Sequence, residues 1–245
     1  MSENRFWQMR PAFAIFDMDG TLVNSMEYWT SLGSEYLKSK GVSDEAAAPV
    51  LAVLEKQTIS ESSALMVKTY GWQRSPKQVA DEINGLMQEH YRRDVQLKSG
   101  VKEYLRRLHE TGTRCCVASA SAPDNVRICL TRLGVADDFE FALSSEDYGS
   151  KAEPDIYFAC AKRFGAQPGA IWVYEDALYA VKTAEKAGFH TVGVLDRWTK
   201  EKWPEIREAA DVLTEDFQNF CAGTRCPEST GEAASGGLDS LHKRK

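Results

Sequence analysis

Four short apolar runs punctuate the chain, at Phe13–Phe16, Cys115–Ala118, Ile171–Tyr174 and Thr191–Leu195, and each reads as a strand. Between and beside them lie amphipathic stretches with helical spacing: Val101–His109, Asp124–Leu133, Ile156–Phe164 and Tyr179–Ala187. Strands that alternate with helices predict an α/β fold, a Rossmann-like parallel sheet with helices on both faces. Phe139–Leu143 and Asp211–Leu213 are candidates for further short strands.

Ser25 to about Val95 breaks this alternation, because it holds no convincing strand. Met26, Trp29, Leu32, Tyr36 and Leu37 follow helical spacing, with a stop at Lys40-Gly41. Ser75-Pro76 opens another helix that places Val79, Ile83, Leu86, Met87 and Tyr91 on one face. These helices either pack on the sheet or form a separate lid. Their length, and their place directly after the first strand, favour an inserted all-helical cap. The domain expectation is a catalytic core from residues 1–23 and 97–221, with the cap over 24–96. Residues 222–245 lose periodicity and read as a disordered tail.

Composition narrows the class. The 245 residues are 43% hydrophobic and 10% aromatic, enough for a proper core. A formal charge of −6 gives no general pull toward nucleic acid or an anionic membrane, so neither is expected as a partner. An anionic ligand would need local donors or a metal. The start, from Met1 to Arg10, lacks the apolar core of a secretory signal, and no stretch is apolar enough to span a bilayer. Six cysteines without a disulfide-scaffold pattern read as buried free thiols in a reducing cytoplasm. Nothing marks an oligomer, and a monomer is the default expectation.

The chemistry sits at the strand ends. The first strand runs into Asp17-Met18-Asp19-Gly20-Thr21, two acids that a regular strand would point the same way. This is either a solvated strand end with an Asx turn or a site for a hard cation. Ligands in open α/β sheets bind beyond the carboxyl ends of the strands, so the other ends bear on the choice. The second run ends in Ser119-Ala120-Ser121 before a helix, a hydroxyl and backbone N–H groups suited to phosphate. Lys151 precedes a helix start, where the helix dipole disfavours a cation unless it pairs with a phosphoryl group or acids. The run Ile171–Tyr174 ends in Glu175-Asp176. Two acidic strand ends, with a lysine and a serine at the others, point to a cation and an anionic ligand together.

Together the four segments resemble the haloacid dehalogenase superfamily, in its subgroup with a helical cap after the first motif. Asp17-x-Asp19-Gly20-Thr21 resembles motif I, Ser119 motif II, Lys151 with Pro154 motif III, and Glu175-Asp176 with Ala187-Gly188 motif IV. The resemblance covers roughly Ala12 to Glu215. It implies that Asp17 is the nucleophile, forming an aspartyl-phosphate, and that Asp19 is the general acid and base. It further implies Mg²⁺ held by Asp17, the backbone carbonyl of Asp19, Glu175 and Asp176. Ser119, the N–H of Ala120 and Lys151 would bind the phosphate oxygens. Two departures stand out: Asp176-Ala177-Leu178-Tyr179-Ala180 replaces the usual Asp-Ser-x-x-Gly, and Ser150 replaces a common Gly.

Dehalogenation needs neither Mg²⁺ nor a second acid, so Asp19, Glu175 and Asp176 argue against it. A β-phosphoglucomutase-like sugar-phosphate mutase is a closer alternative, supported by Val117–Ser121. Yet Trp29 stands where such mutases carry a cap histidine, and Ser60-Glu61-Ser62 where they carry an arginine. A non-catalytic phosphate-binding regulatory module is the remaining alternative; such modules lose the acids or lysine that this chain keeps. The expectation is therefore a Mg²⁺-dependent phosphomonoester phosphatase acting on a small phosphorylated metabolite. Tyr28, Trp29, Lys56 and Gln57 are cap residues that either face the phosphate or fill the cap core.

Overall fold

The computed structural model describes residues 11–54, 57–218 and 220. The tail expected over 222–245, and Lys56, lie outside the described residues. Six parallel strands form one sheet in the order β3-β2-β1-β4-β5-β6. They are β1 (Phe13–Phe16), β2 (Arg114–Ser119), β3 (Ala142–Ser144), β4 (Ile171–Glu175), β5 (His190–Val194) and β6 (Val212–Thr214). The first strand is thus central, and β2 and β4 flank it.

Alternation along these strands feeds two apolar layers. Ala14, Phe16, Cys115, Val117, Trp172 and Tyr174 belong to one buried cluster. Their sequence neighbours Ile15, Cys116, Ala118, Ile171 and Val173 belong to the other. Both faces are covered, which explains why the runs show no polar stripe. The expected fold class therefore holds: an α/β, Rossmann-like parallel sheet. Phe16 stacks on Tyr174 with ring centroids 4.2 Å apart, directly beneath the acidic strand ends. The four cysteines among the described residues are buried and free, as expected.

Between β1 and β2 the chain forms α1 (Met26–Ser39), α2 (Asp44–Leu54), α3 (Ile59–Tyr70) and α4 (Pro76–Arg93), followed by α5 (Val101–Glu110). Capping boxes start α3 at Thr58 and α4 at Ser75, where Pro76 suits the first helical turn. Leu32, Tyr36, Met66, Ile83 and Met87 pack into the same apolar cluster as Phe16 and Tyr174. Val23, after β1, and Leu97, before α5, pair in an isolated antiparallel bridge. Past β2 come α6 (Pro123–Leu133), the short α7 (Ser145–Tyr148), α8 (Asp155–Phe164), α9 (Leu178–Lys186) and α10 (Trp203–Ala209). No described helix is long and apolar enough to cross a membrane.

The third strand differs from its expected span. The strand itself covers Ala142–Ser144. Before it, the Glu140 N–H donates to the Cys115 carbonyl at 2.9 Å and the Val117 N–H to the Phe141 carbonyl at 3.0 Å, while Phe139 and Phe141 pack against Phe16 and Phe164.

Candidate active site

Register brings the strand ends level. Phe16 lies opposite both Val117 and Tyr174, so Asp17, Ala118 and Glu175 fall one step beyond, at the carboxyl edge. The Asp17 N–H donates to the Tyr174 carbonyl at 3.0 Å, carrying the ladder through to the acid.

Lys151 reaches this edge from the loop before α8. Its ammonium donates to Asp17 Oδ1 at 2.5 Å and to Glu175 Oε1 at 2.6 Å. Tyr157, on the first turn of α8, adds a hydroxyl to the same Glu175 oxygen at 2.8 Å. Oxygens of Asp17, Glu175 and Asp176 lie within 4.8 Å of one another, all three residues buried. Asp17 Oδ2 is buried with no hydrogen-bond partner.

Three buried carboxylates against one ammonium leave surplus negative charge. Burial pushes the Asp17 carboxyl up to about 8; Lys151 pulls it down, and Glu175 and Asp19 add to the rise. Asp176 is likewise driven well above the ordinary carboxylate range, by burial first and then by Asp17 and Glu175. Burial disfavours the charged Lys151, yet Asp17 and Glu175 outweigh it and hold the ammonium above its usual value. An all-oxygen cluster with an orphaned buried acceptor fits a hard divalent cation, whose charge would offset the repulsion.

Gly20 permits the cluster. It sits at φ +81°, and a Cβ there would overlap the Asp176 carboxylate. The turn after β1 and the end of β4 therefore touch backbone to side chain.

Asp19 does not point where a regular strand would send it. The strand ends at Phe16, and the turn that follows sends the Asp19 carboxylate to a different set of partners. Its Oδ1 accepts from the Tyr91 hydroxyl at 2.6 Å and from Trp29 Nε1 at 3.4 Å; its Oδ2 accepts from Ser121 Oγ at 2.7 Å. The Asp19 side chain is absent from the acid cluster among the described residues, so the pair is not one bidentate cation site.

The predicted phosphate-binding segment is at the end of β2. Ser119 is fully buried, and its Oγ accepts the Ser121 N–H at 3.0 Å, tightening the turn into α6. Ala120 is exposed at that turn. At the motif IV departure, α9 begins at Leu178 without a side-chain cap, and Tyr179 is half exposed. Of the cap residues singled out, Trp29 reaches Asp19, whereas Tyr28 packs on His90 with ring centroids 4.5 Å apart. Gln57 is partly buried with an unpartnered Oε1.

Tyr91, Ser121 and Tyr157 did not emerge as site residues from the sequence. Tyr91 and Tyr157 fall on regular apolar helix faces, and neither pattern signals a hydroxyl aimed at an acid. Ser121 lies within the Ser-Ala-Ser segment, where its nearness to Asp19 is set by the turn.

Residues 14–194 match the family described as haloacid dehalogenase-like hydrolase. Among curated proteins, a Drosophila melanogaster protein named "Probable pseudouridine-5'-phosphatase" is 29% identical, over 83% of this chain and 92% of its own. Hexitol phosphatase B of Escherichia coli K12 is 25% identical, over 74% of this chain and 82% of its own. A solved structure from Haemophilus somnus 129pt, titled a "predicted phosphoglycolate phosphatase", superposes with a TM-score of 0.70 at 21% identity. It covers 87% of this chain and 97% of its own, a likeness of fold. With the match running from the first strand through the fifth, and its acids and lysine gathered at one sheet edge, the chain belongs to the haloacid dehalogenase-like hydrolases.

Proposed function

We propose that this hydrolase is a Mg²⁺-dependent phosphomonoester phosphatase that acts on a small phosphorylated metabolite through an aspartyl-phosphate on Asp17. The observation that carries the reading is Asp17 itself: buried, held on Oδ1 by Lys151, and with Oδ2 unpartnered. A carboxylate so oriented is a nucleophile with one oxygen fixed and one available. The phosphatase names of the curated relatives support the same substrate class.

Asp17, Glu175, Asp176 and the backbone carbonyl of Asp19 would hold the Mg²⁺. When bound, that ion supplies charge neutralisation and orients the phosphoryl group. Lys151, Ser119 and the Ala120 N–H offset the charge on the non-bridging oxygens as Asp17 approaches phosphorus. The P–O bond to the leaving group breaks as the Asp17–phosphorus bond forms. Asp19 gives its proton to the leaving oxygen, then takes one from the water that hydrolyses the intermediate. Residues 24–96 form the cap, hinged at the Val23–Leu97 bridge, and the core comprises 1–23 and 97–221. Closure of that cap excludes bulk water.

Asp17→Asn tests the reading. The variant should lose Mg²⁺-dependent hydrolysis of p-nitrophenyl phosphate while its circular dichroism stays native. Unchanged turnover would remove Asp17 as the nucleophile. Interconversion of hexose phosphates without release of inorganic phosphate would replace phosphatase by mutase.

A further inference from the structure

The general acid of this site is gripped from the helical insert. Tyr91, on the last turn of α4, is fully buried, and its hydroxyl lies 2.6 Å from Asp19 Oδ1, 3.0 Å from Ser121 Oγ and 3.2 Å from Trp29 Nε1. Ser121 closes the figure with its own 2.7 Å bond to Asp19 Oδ2. One hydroxyl therefore sits on each carboxylate oxygen. Two such bonds fix the carboxylate plane, whereas one would leave it free to rotate about Cβ–Cγ.

Tyr91 is itself anchored. Arg132, on α6 of the core, donates through Nε to the Tyr91 carbonyl at 2.7 Å and also bonds the Val95 carbonyl. The Tyr91 carbonyl belongs to the last turn of α4, where a cation is favoured, and the Val95 carbonyl lies just past the helix end. Gln88, one turn earlier, donates to Asn125 at 2.9 Å. The last turns of α4 are thereby tied to the helix that follows β2, the same segment that carries Ser121. A phenol on that rigid support has little freedom, and burial first, then the Asp19 charge, raises its pKa well above normal.

We propose that Tyr91 and Ser121 are positioning residues for Asp19, aiming the remaining Oδ2 lone pair at the leaving oxygen, with Arg132 holding Tyr91 in register. This rests on the assignment of Asp19 as the general acid. It assigns a chemical role to the cap's last helix beyond covering the site. The hydrogen-bond inventory supports it: Oδ1 accepts from both Tyr91 and Trp29, whereas Oδ2 accepts only from Ser121 and keeps a second lone pair for the transferred proton.

The test is the sensitivity of kcat/KM to the leaving group across a series of aryl phosphates, from p-nitrophenyl to phenyl phosphate. This ratio reports events through the first irreversible step, so hydrolysis of the intermediate does not enter it. A good leaving group departs without a proton; phenolate needs one. Tyr91→Phe should lower kcat/KM for phenyl phosphate about tenfold or more, yet change p-nitrophenyl phosphate by no more than about twofold. Asp19→Asn should show the same selectivity with a larger loss. Ser121→Ala removes the opposite hydroxyl while Arg132 still holds the end of α4, and should repeat the pattern even if Tyr91→Phe fails to fold. Uniform losses in Tyr91→Phe and Ser121→Ala, beside a selective Asp19→Asn, would overturn the positioning role. An unselective Asp19→Asn would instead overturn the acid assignment, and this inference with it.

Discussion

Gly20→Ala isolates the contact on which the acid cluster depends. Gly20 holds φ +81°, and a Cβ would overlap Asp176 Oδ2 and stand 2.7 Å from its Cγ and 3.2 Å from Met26 Cγ. Asp176 is only 5% exposed, so it has no open space into which to retreat. Two costs follow. The left-handed backbone costs an L-residue about 1–2 kcal/mol. Forcing atoms into a packed site adds about 1–3 kcal/mol. Gly41→Ala separates them, because Gly41 has φ +79° and nothing within 4 Å of its added Cβ. Urea unfolding should show Gly41→Ala paying the backbone cost alone, and Gly20→Ala losing about 1–3 kcal/mol more. Displacing Asp176 should also weaken Mg²⁺ binding at least about tenfold by titration calorimetry, a change of about 1.4 kcal/mol. Gly41→Ala should bind Mg²⁺ as wild type does. Equal losses of stability in the two variants, with Mg²⁺ affinity unchanged in both, would refute the close approach of the two strand ends.

Three other substitutions probe separate parts of the site and cap. Lys151→Met removes the donor shared by Asp17 and Glu175 and should lower kcat/KM by about 10²–10³, so a loss under about threefold would count against its role. Tyr157→Phe removes the 2.8 Å bond to Glu175 and should weaken Mg²⁺ binding about tenfold; unaltered affinity would show that Glu175 needs no such support. His90 bridges Glu35 and Asp94 at 2.8 Å on each ring nitrogen. Burial lowers its pKa, but the two carboxylates outweigh burial and raise it above 6.5. The folded state thus holds the proton more tightly than the unfolded state. The resulting stability is fully present below pH 6.5 and is lost as pH rises through the folded value. The difference in thermal midpoint between wild type and His90→Asn should shrink as the pH rises above 6.5. A pH-independent difference would rule out that bridge as a charged one.

Much of the fold is legible because central parallel strands are buried on both faces. Phe13–Phe16 and Ile171–Tyr174 announce themselves as apolar runs ending in acids, within a residue of β1 and β4. The helices α2 and α3 are harder to delimit. Pro49 lies inside α2 and interrupts its pattern, and Ser62 and Ser63 dilute the apolar face of α3. Asp17, Lys151, Glu175 and Asp176 are each readable at strand or helix ends, where charge is out of place. What periodicity cannot supply is reach across the fold. Tyr91 and Asp19 are separated by 72 positions, and only the packing of α4 against α6 brings them together. The orientation of Asp19 was hidden for a related reason. The strand rule holds only while the strand lasts, and β1 ends one residue before Asp17.

The bridge between Val23 and Leu97 has a consequence for how such molecules diversify. Flanking it, the Asn24 N–H donates to the Gln96 carbonyl at 2.8 Å, and the Lys98 N–H to the Leu22 carbonyl at 2.9 Å. Both ends of the insert thus leave the core side by side. The core meets the insert as a loop already closed, and the entropy of closing a loop rises only logarithmically with its length. Inserts of other sizes could be grafted at this clasp with little penalty to the sheet. The constraint on exchange is chemical: a graft without a hydroxyl in the place of Tyr91 would fold, cover the site, and leave Asp19 held by Ser121 alone.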